Sequence, residues 1–165
     1  MPNIVLGIDG RGFVGPAAGT SRYVMALGCE LQRELAATDV VVYGPSEMAL
    51  PEQAAGWRVH DTQASLSRHL PNTLSYMLQV GRQAQQDGVN VFLAGANFLP
   101  YGLDHCQSVL VVHDLVADLF PQTLTRSHRW EHRLFLGSSI RRCGVLVANS
   151  AATSKRIFER YGRAA

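Results

Sequence analysis

His113 and Asp114 follow directly on the apolar run Val109-Leu110-Val111-Val112, which sets an imidazole beside a carboxylate at the exit of a buried segment. Imidazole donates, accepts or carries charge near neutral pH, so it suits recognition of a hydroxyl or stabilisation of charge developing on a substrate. The plain structural reading stands beside it: Asp114 caps the next turn and His113 is satisfied inside the fold. Near the N-terminus, Gly10-Arg11-Gly12-Phe13-Val14-Gly15 spells G-x-G-x-x-G after another apolar run. A dinucleotide fingerprint requires the helix to open inside the motif and an acid to end the second strand. Here Pro16, Ala17, Ala18 and Gly19 extend the loop toward a helix cap expected at Thr20 or Ser21. The second apolar run ends in Tyr43-Gly44-Pro45-Ser46, with Glu47 arriving late. A long glycine loop over a ligand is the better functional reading, with Gly12, Gly15, Gly19 and Thr20 as its candidate contacts. A bare surface loop is the structural alternative.

Between Thr125 and Cys143 stand Arg126, Arg129, Arg133, Arg141 and Arg142 against Glu131 alone, a local excess larger than the whole chain's net charge of +2. Arg126, Arg129 and Arg133 fall on one helical face beside Trp130 and Leu134. That pattern suits a phosphate-bearing acceptor or an anionic membrane surface; a solvated face is the commoner origin of such a run. His128 and His132 have the i, i+4 spacing of a helical metal pair, but Arg129 stands where the catalytic zinc motif needs Glu, so no metal site is expected. Asn149-Ser150 before Ala-Ala-Thr-Ser reads as an N-cap, and its place after a strand also makes it an anion-facing candidate.

Elements that would position these residues follow from the periodicity. Short runs rich in β-branched residues recur at Ile4 to Ile8, Val40 to Tyr43, Trp57 to His60, Val89 to Leu93, Val109 to Val112 and Val145 to Ala148. Continuously apolar strands are what a parallel sheet covered on both faces requires. Val24, Leu27, Leu31 and Leu35 predict an amphipathic helix after the first strand. Further helices are expected from Asn72 to Gln86, from Thr125 to Arg142, and from Ser150 to Tyr161 with Ile157, Phe158 and Tyr161 as its apolar side and Gly162 as its stop. Alternating strands and helices predict an α/β fold: a Rossmann-like open, mostly parallel sheet flanked by helices. Ligands gather at the carboxyl ends of such strands, which directs attention to Asp9–Ser21, Tyr43–Glu47, Gly95–Tyr101, His113–Phe120, Asn149 and Ser150.

The 165 residues suffice for one domain, and 47% hydrophobic with 17% charged residues excludes disorder and coiled coil. A net charge of +2 is too small to make nucleic acid a default partner. Three cysteines without short spacing suggest neither a disulfide framework nor zinc, and a reducing, cytoplasmic setting fits them. No signal peptide is recognisable in Met-Pro-Asn-Ile-Val-Leu-Gly-Ile-Asp, and no apolar run approaches the length of a membrane span.

Taken in order, several pieces resemble the N-terminal domain of family 4 retaining glycosyltransferases of the GT-B type, among them bacterial mannosyltransferases of polysaccharide and O-antigen assembly. Gly7-Ile8-Asp9 with Gly19-Thr20-Ser21-Arg22-Tyr23 is similar to the family's GIDxR…GIGRY opening. Ala96-Asn97-Phe98-Leu99-Pro100 resembles PNxxLP, and Val112-His113-Asp114-Leu115 with Phe120-Pro121 resembles HDLxxxxxP. Ser139-Ile140-Arg141-Arg142-Cys143 with Val147-Ala148-Asn149-Ser150-Ala151-Ala152-Thr153 resembles SxRRAD…AVSEAT, although Cys143-Gly144 replaces the usual Ala-Asp. The resemblance implies that residues 1–165 form an acceptor-side domain whose nucleotide-sugar donor is shared with a second domain outside this chain. It implies a catalytic His113 and substrate contacts from Gly12, Gly15, Gly19, Thr20, Asn97, Asp114 and Ser150. It also implies transfer of a hexose such as mannose to a glycan or lipid-linked acceptor without a protein nucleophile, cofactor or metal, on the cytoplasmic side and peripheral to the membrane. A free-standing Rossmann module that holds a nucleotide or dinucleotide at Gly10–Gly15 is the alternative.

Overall fold

The computed structural model describes residues 3–14, 19–36, 39–63 and 72–165. Six strands form one sheet: β1 (Val5–Asp9), β2 (Asp39–Gly44), β3 (Arg58–Asp61), β4 (Val91–Ala94), β5 (Gln107–Val112) and β6 (Val145–Ala148). Their order is β3-β2-β1-β4-β5-β6, and all five pairings are parallel. This is the Rossmann order, with its reversal point between β1 and β4. The expected strands all form, the fourth beginning two residues later than expected, at Val91, and ending one later, at Ala94.

Alternation along each strand divides the apolar side chains between two cores. Leu6, Ile8, Val40, Val42, Leu93 and Val111 pack on one face under helix α1 (Gly19–Glu34), with Val24 and Trp57. Val41, Tyr43, Phe92, Leu110 and Val112 pack on the other under α2 (Asn72–Gln86), with Tyr76, Met77 and Val80. A short α3 (Val116–Leu119) precedes α4 (Arg126–Glu131), which Thr125 caps from its side chain onto the His128 amide. Helical backbone then continues through a π segment, His132–Leu136, into α5 (Gly137–Arg142). The expected Thr125–Arg142 helix therefore exists, widened in its middle by one π segment. Helix α6 (Ala151–Tyr161) starts at the Ser150 cap and stops at Gly162, whose φ of +68° suits a residue without Cβ.

Two helix-level expectations are corrected. Helix α1 opens at Gly19, so Thr20 and Ser21 lie inside its first turn and are not its caps. Phe158 is 61% exposed; only Ile157 of α6's expected apolar trio is fully buried, because Tyr161 turns its hydroxyl onto Asp118 2.9 Å away. The same Asp118 takes Arg160 Nε at 2.8 Å, which ties α6 to α3.

Candidate functional site

The carboxyl edge of the sheet is built around β1, β4 and β5. Asp9, the last residue of β1, is 2% exposed. It accepts the Arg11 amide at 3.1 Å, Arg11 Nε at 3.0 Å, Arg11 Nη2 at 2.7 Å and the Tyr76 hydroxyl at 2.9 Å. Arg11 also lies over the Tyr76 ring, 4.1 Å from its centroid. Burial opposes the Arg11 charge, yet the Asp9 carboxylate more than offsets this and holds the guanidinium above its usual range. Burial first, and Asp9 second, push the Tyr76 phenol well up, so it stays a hydrogen-bond donor. Sequence reading marked Asp9 as a strand end but missed this cluster. Arg11 was visible two residues on; Tyr76, from a helix 67 positions away, left no local signal.

His113 follows β5. Its Nε2 lies 2.9 Å from the Gly95 carbonyl, which can only accept, so that nitrogen carries the proton. The His113 amide donates to Asn97 Oδ1 at 3.1 Å, and the ring meets Tyr23 of α1 edge-on at 5.6 Å. The ring is thereby oriented from β4, β5 and α1, and its Nδ1 has no partner among the described residues. Asn97 supports this geometry from a left-handed backbone (φ +64°), a conformation that asparagine tolerates better than most residues. Gly95 is required by packing: a Cβ there would stand 2.3 Å from Val24 Cγ2 and 2.7 Å from Cγ1. The loop after β4 thus presses against α1, and the same loop fixes His113.

The remaining candidates separate. Asp114 is exposed and its Oδ1 accepts the Val116 amide at 3.0 Å, the turn-capping role. Ser150 Oγ accepts the Thr153 amide at 3.1 Å, while Thr153 Oγ1 donates to the His113 carbonyl at 3.3 Å, so the α6 cap touches the His113 backbone. Gly12 sits in a tight turn, Arg11–Phe13, with open space around it; Gly19 and Thr20 are exposed at the start of α1. Gly15 lies outside the described residues. Beside this turn a largely apolar cavity of about 560 Å³ opens between α1 and residues 49–53, with Phe13, Met25, Leu50 and Pro51 in its wall. Arg126, Arg129 and Arg133 line a different concavity together with Trp130. His132 lies edge-on to Phe98 at 5.0 Å, its Nδ1 buried without a partner among the described residues, and burial lowers its pKa.

No helix among the described residues is long and apolar enough to cross a membrane. Comparison with curated proteins finds no match. A family model described as Glycosyltransferase Family 4 matches residues 17–165, which takes in α1, the loop after β4, His113 and the α6 cap. With a parallel sheet in Rossmann order and its polar groups gathered at the carboxyl edge, the chain belongs to glycosyltransferase family 4.

Proposed function

We propose that this chain is the acceptor-side, N-terminal domain of a retaining GT-B glycosyltransferase that moves a hexose such as mannose from a nucleotide sugar to a glycan or lipid-linked acceptor. The donor is shared with a second domain, and the enzyme works on the cytoplasmic side. The observation that carries this reading is the fixed His113: the Gly95 carbonyl accepts from Nε2 and leaves Nδ1, which has no partner among the described residues, to meet a sugar hydroxyl. A preoriented group of this kind acts without reorganising during transfer, which is where such contacts contribute most. Asn97 holds the His113 amide and Tyr23 the ring. The apolar cavity beside Phe13 gives the acceptor a wall next to the Gly12 turn.

The test is His113→Ala in the complete enzyme. Turnover should fall by about a hundredfold or more, in the range of a lost positioned polar group, with little change in melting temperature. An unchanged rate removes His113 from the site. The domain assignment predicts that this chain alone transfers no sugar and that mixing it with a donor-binding domain restores turnover. Full activity of the chain alone would overturn that assignment, and tight calorimetric binding of NAD or NADP in place of GDP or UDP would favour a dinucleotide module.

A further inference from the structure

The cavity of about 560 Å³ beside Phe13 has a shape that restricts its occupant. Helix α1 lines it with Ser21 and Arg22, Met25 and Ala26, and Cys29 and Glu30, three successive turns of one face, so it is a groove roughly 12 Å long at 1.5 Å per residue. That length leaves a cross-section of about 45 Å². A helix, about 10–12 Å across with its side chains, is too wide for it. Its eleven lining residues are also about half of what one side of a specific protein interface uses. One aliphatic chain, straight or branched, matches the space.

The walls are apolar and tied together. Phe13 is buried, and Met25, Cys29 and Leu50 are half-buried against the core on the α1 side of the sheet. The Ala49 amide donates to the Phe13 carbonyl at 3.3 Å, which joins the far wall to the turn after β1. Burial first, and Glu30 second, push the Cys29 thiol up, so it stays protonated and behaves as apolar wall. The two ends differ in charge. Glu30, remote from the carboxyl edge, is met by Arg33 at 2.6 Å. Arg22 brings a cation to the near end, and its neighbour Tyr23 meets the His113 ring at 5.6 Å, so that end lies at the edge of the candidate site.

We propose that this groove is a binding site for one aliphatic chain of an anionic amphiphile, with the chain along Met25, Cys29 and Leu50 and the head at Arg22. Shape and charge complementarity favour this occupant. Apolar walls gain by burying hydrocarbon, and a cation at one end sets the direction in which the chain enters. A glycan in the same space would press its hydroxyls on Phe13, Met25 and Leu50 and lose their hydrogen bonds to water. On the transferase reading above, the chain is the apolar part of the acceptor, and seating it brings the reacting end toward His113. That assignment of the chain's source rests on the transferase reading; chain binding itself does not.

Calorimetry with alkyl phosphates below their micelle concentrations tests the site. Decyl phosphate should bind one to one with a negative heat-capacity change, and inorganic phosphate should not bind. Affinity should rise about fourfold for each methylene from hexyl to decyl phosphate, the transfer free energy of a buried CH₂. It should level off beyond about ten carbons, where the chain outgrows a groove of roughly 12 Å. Decyltrimethylammonium should bind about tenfold more weakly than decyl phosphate, the loss of one charged hydrogen bond. Ala26 and Ala49 are exposed on the two walls, so Ala26→Phe and Ala49→Phe fill the groove without entering the core. Each should lower decyl phosphate affinity about tenfold, the loss of roughly two buried methylenes, at an unchanged melting midpoint. No saturable binding, affinity that climbs with chain length without a plateau, equal binding of the cationic chain, or full binding by both filled variants would overturn the proposal. So would inorganic phosphate binding as tightly as decyl phosphate, which marks a soluble anion site. The source of the chain is read in the complete enzyme. Loss of turnover by the filled variants on a lipid-linked acceptor, with turnover on a water-soluble acceptor kept, supports the acceptor chain; loss on neither overturns that source and leaves a separate lipid. A wild-type enzyme that transfers to neither acceptor sinks the transferase reading and leaves the calorimetric result standing.

Discussion

Arg11→Met keeps an unbranched stem over Tyr76 and takes the guanidinium away from Asp9. The Asp9 side chain is fully buried and Arg11 is 19% exposed, so this is a buried pair in energetic terms. The substitution removes the bonds at 3.0 and 2.7 Å and leaves the carboxylate with one backbone amide and the Tyr76 phenol. Breaking a buried pair from one side costs about 3–5 kcal/mol, against a total stability of about 5–15 kcal/mol for a domain. At about 2–4 °C per kcal/mol for a chain of this size, the melting midpoint should fall on the order of 10 °C. Adding Asp9→Asn removes the charge and should recover about 2 kcal/mol or more, since deleting both partners of a buried pair is far milder than deleting one. Thermal and urea unfolding of wild type, both single variants and the double variant measures all of this. The reasoning fails if Arg11→Met lies within about 1 kcal/mol of wild type, the level of an exposed pair, or if the double variant shows the sum of the single deficits.

Gly95→Ala forces a Cβ to 2.3 Å from Val24 Cγ2 and should cost about 1–3 kcal/mol by overpacking. Combined with Val24→Ala, the two losses should fall short of additive by about 0.5–3 kcal/mol; additive losses in a double-mutant unfolding series would count against the α1 contact. Arg163 donates to the carbonyls of Ile140 and Arg141 through Nη1, and of Cys143 and Gly144 through Nη2, closing the carboxyl end of α5. Arg163→Ala should therefore cost about 2 kcal/mol, the scale of charged hydrogen bonds, with hydrogen exchange rising first at the α5 terminus; loss of protection elsewhere but not there would refute the capping role.

What the sequence made legible was whatever is encoded by near neighbours. Runs such as Val40-Val41-Val42 can bury both faces only inside a covered sheet, and α2 and α6 ended where Asp87-Gly88 and Gly162 require. His113 was findable because it stands next to a strand end. Its support was not: Gly95, Asn97, Tyr23 and Thr153 come from different parts of the chain, and only folding shows which atoms of them face the ring or its backbone. Phe158 was misread because periodicity gives a face, not the neighbour that covers it, and the space beside α6 is taken by the Asp118 contacts of Arg160 and Tyr161. The π segment likewise has no signature in His132–Leu136 that a helical period would disclose.

The G-x-G-x-x-G string shows why a motif needs its geometry. In a dinucleotide site the glycines let a pyrophosphate approach a helix N-terminus. Here Gly10 answers to the protein itself: its amide donates to the Tyr43 carbonyl at 2.8 Å, and a Cβ would stand 2.5 Å from both Met48 Sδ and Val42 Cγ1. A Cβ on Gly44, at the end of β2, would stand 2.5 Å from the same Met48 sulfur and 3.0 Å from the Gly10 carbonyl, so the place where a ribose-binding acid would stand cannot take a side chain without a shift. Arg11 turns inward to Asp9. Each of these contacts explains a glycine or a loop residue by packing, with no phosphate needed. What packing does not explain is an imidazole held from three directions at the strand edge with one nitrogen unpartnered among the described residues, and that is why the functional reading turns on His113 and not on the fingerprint.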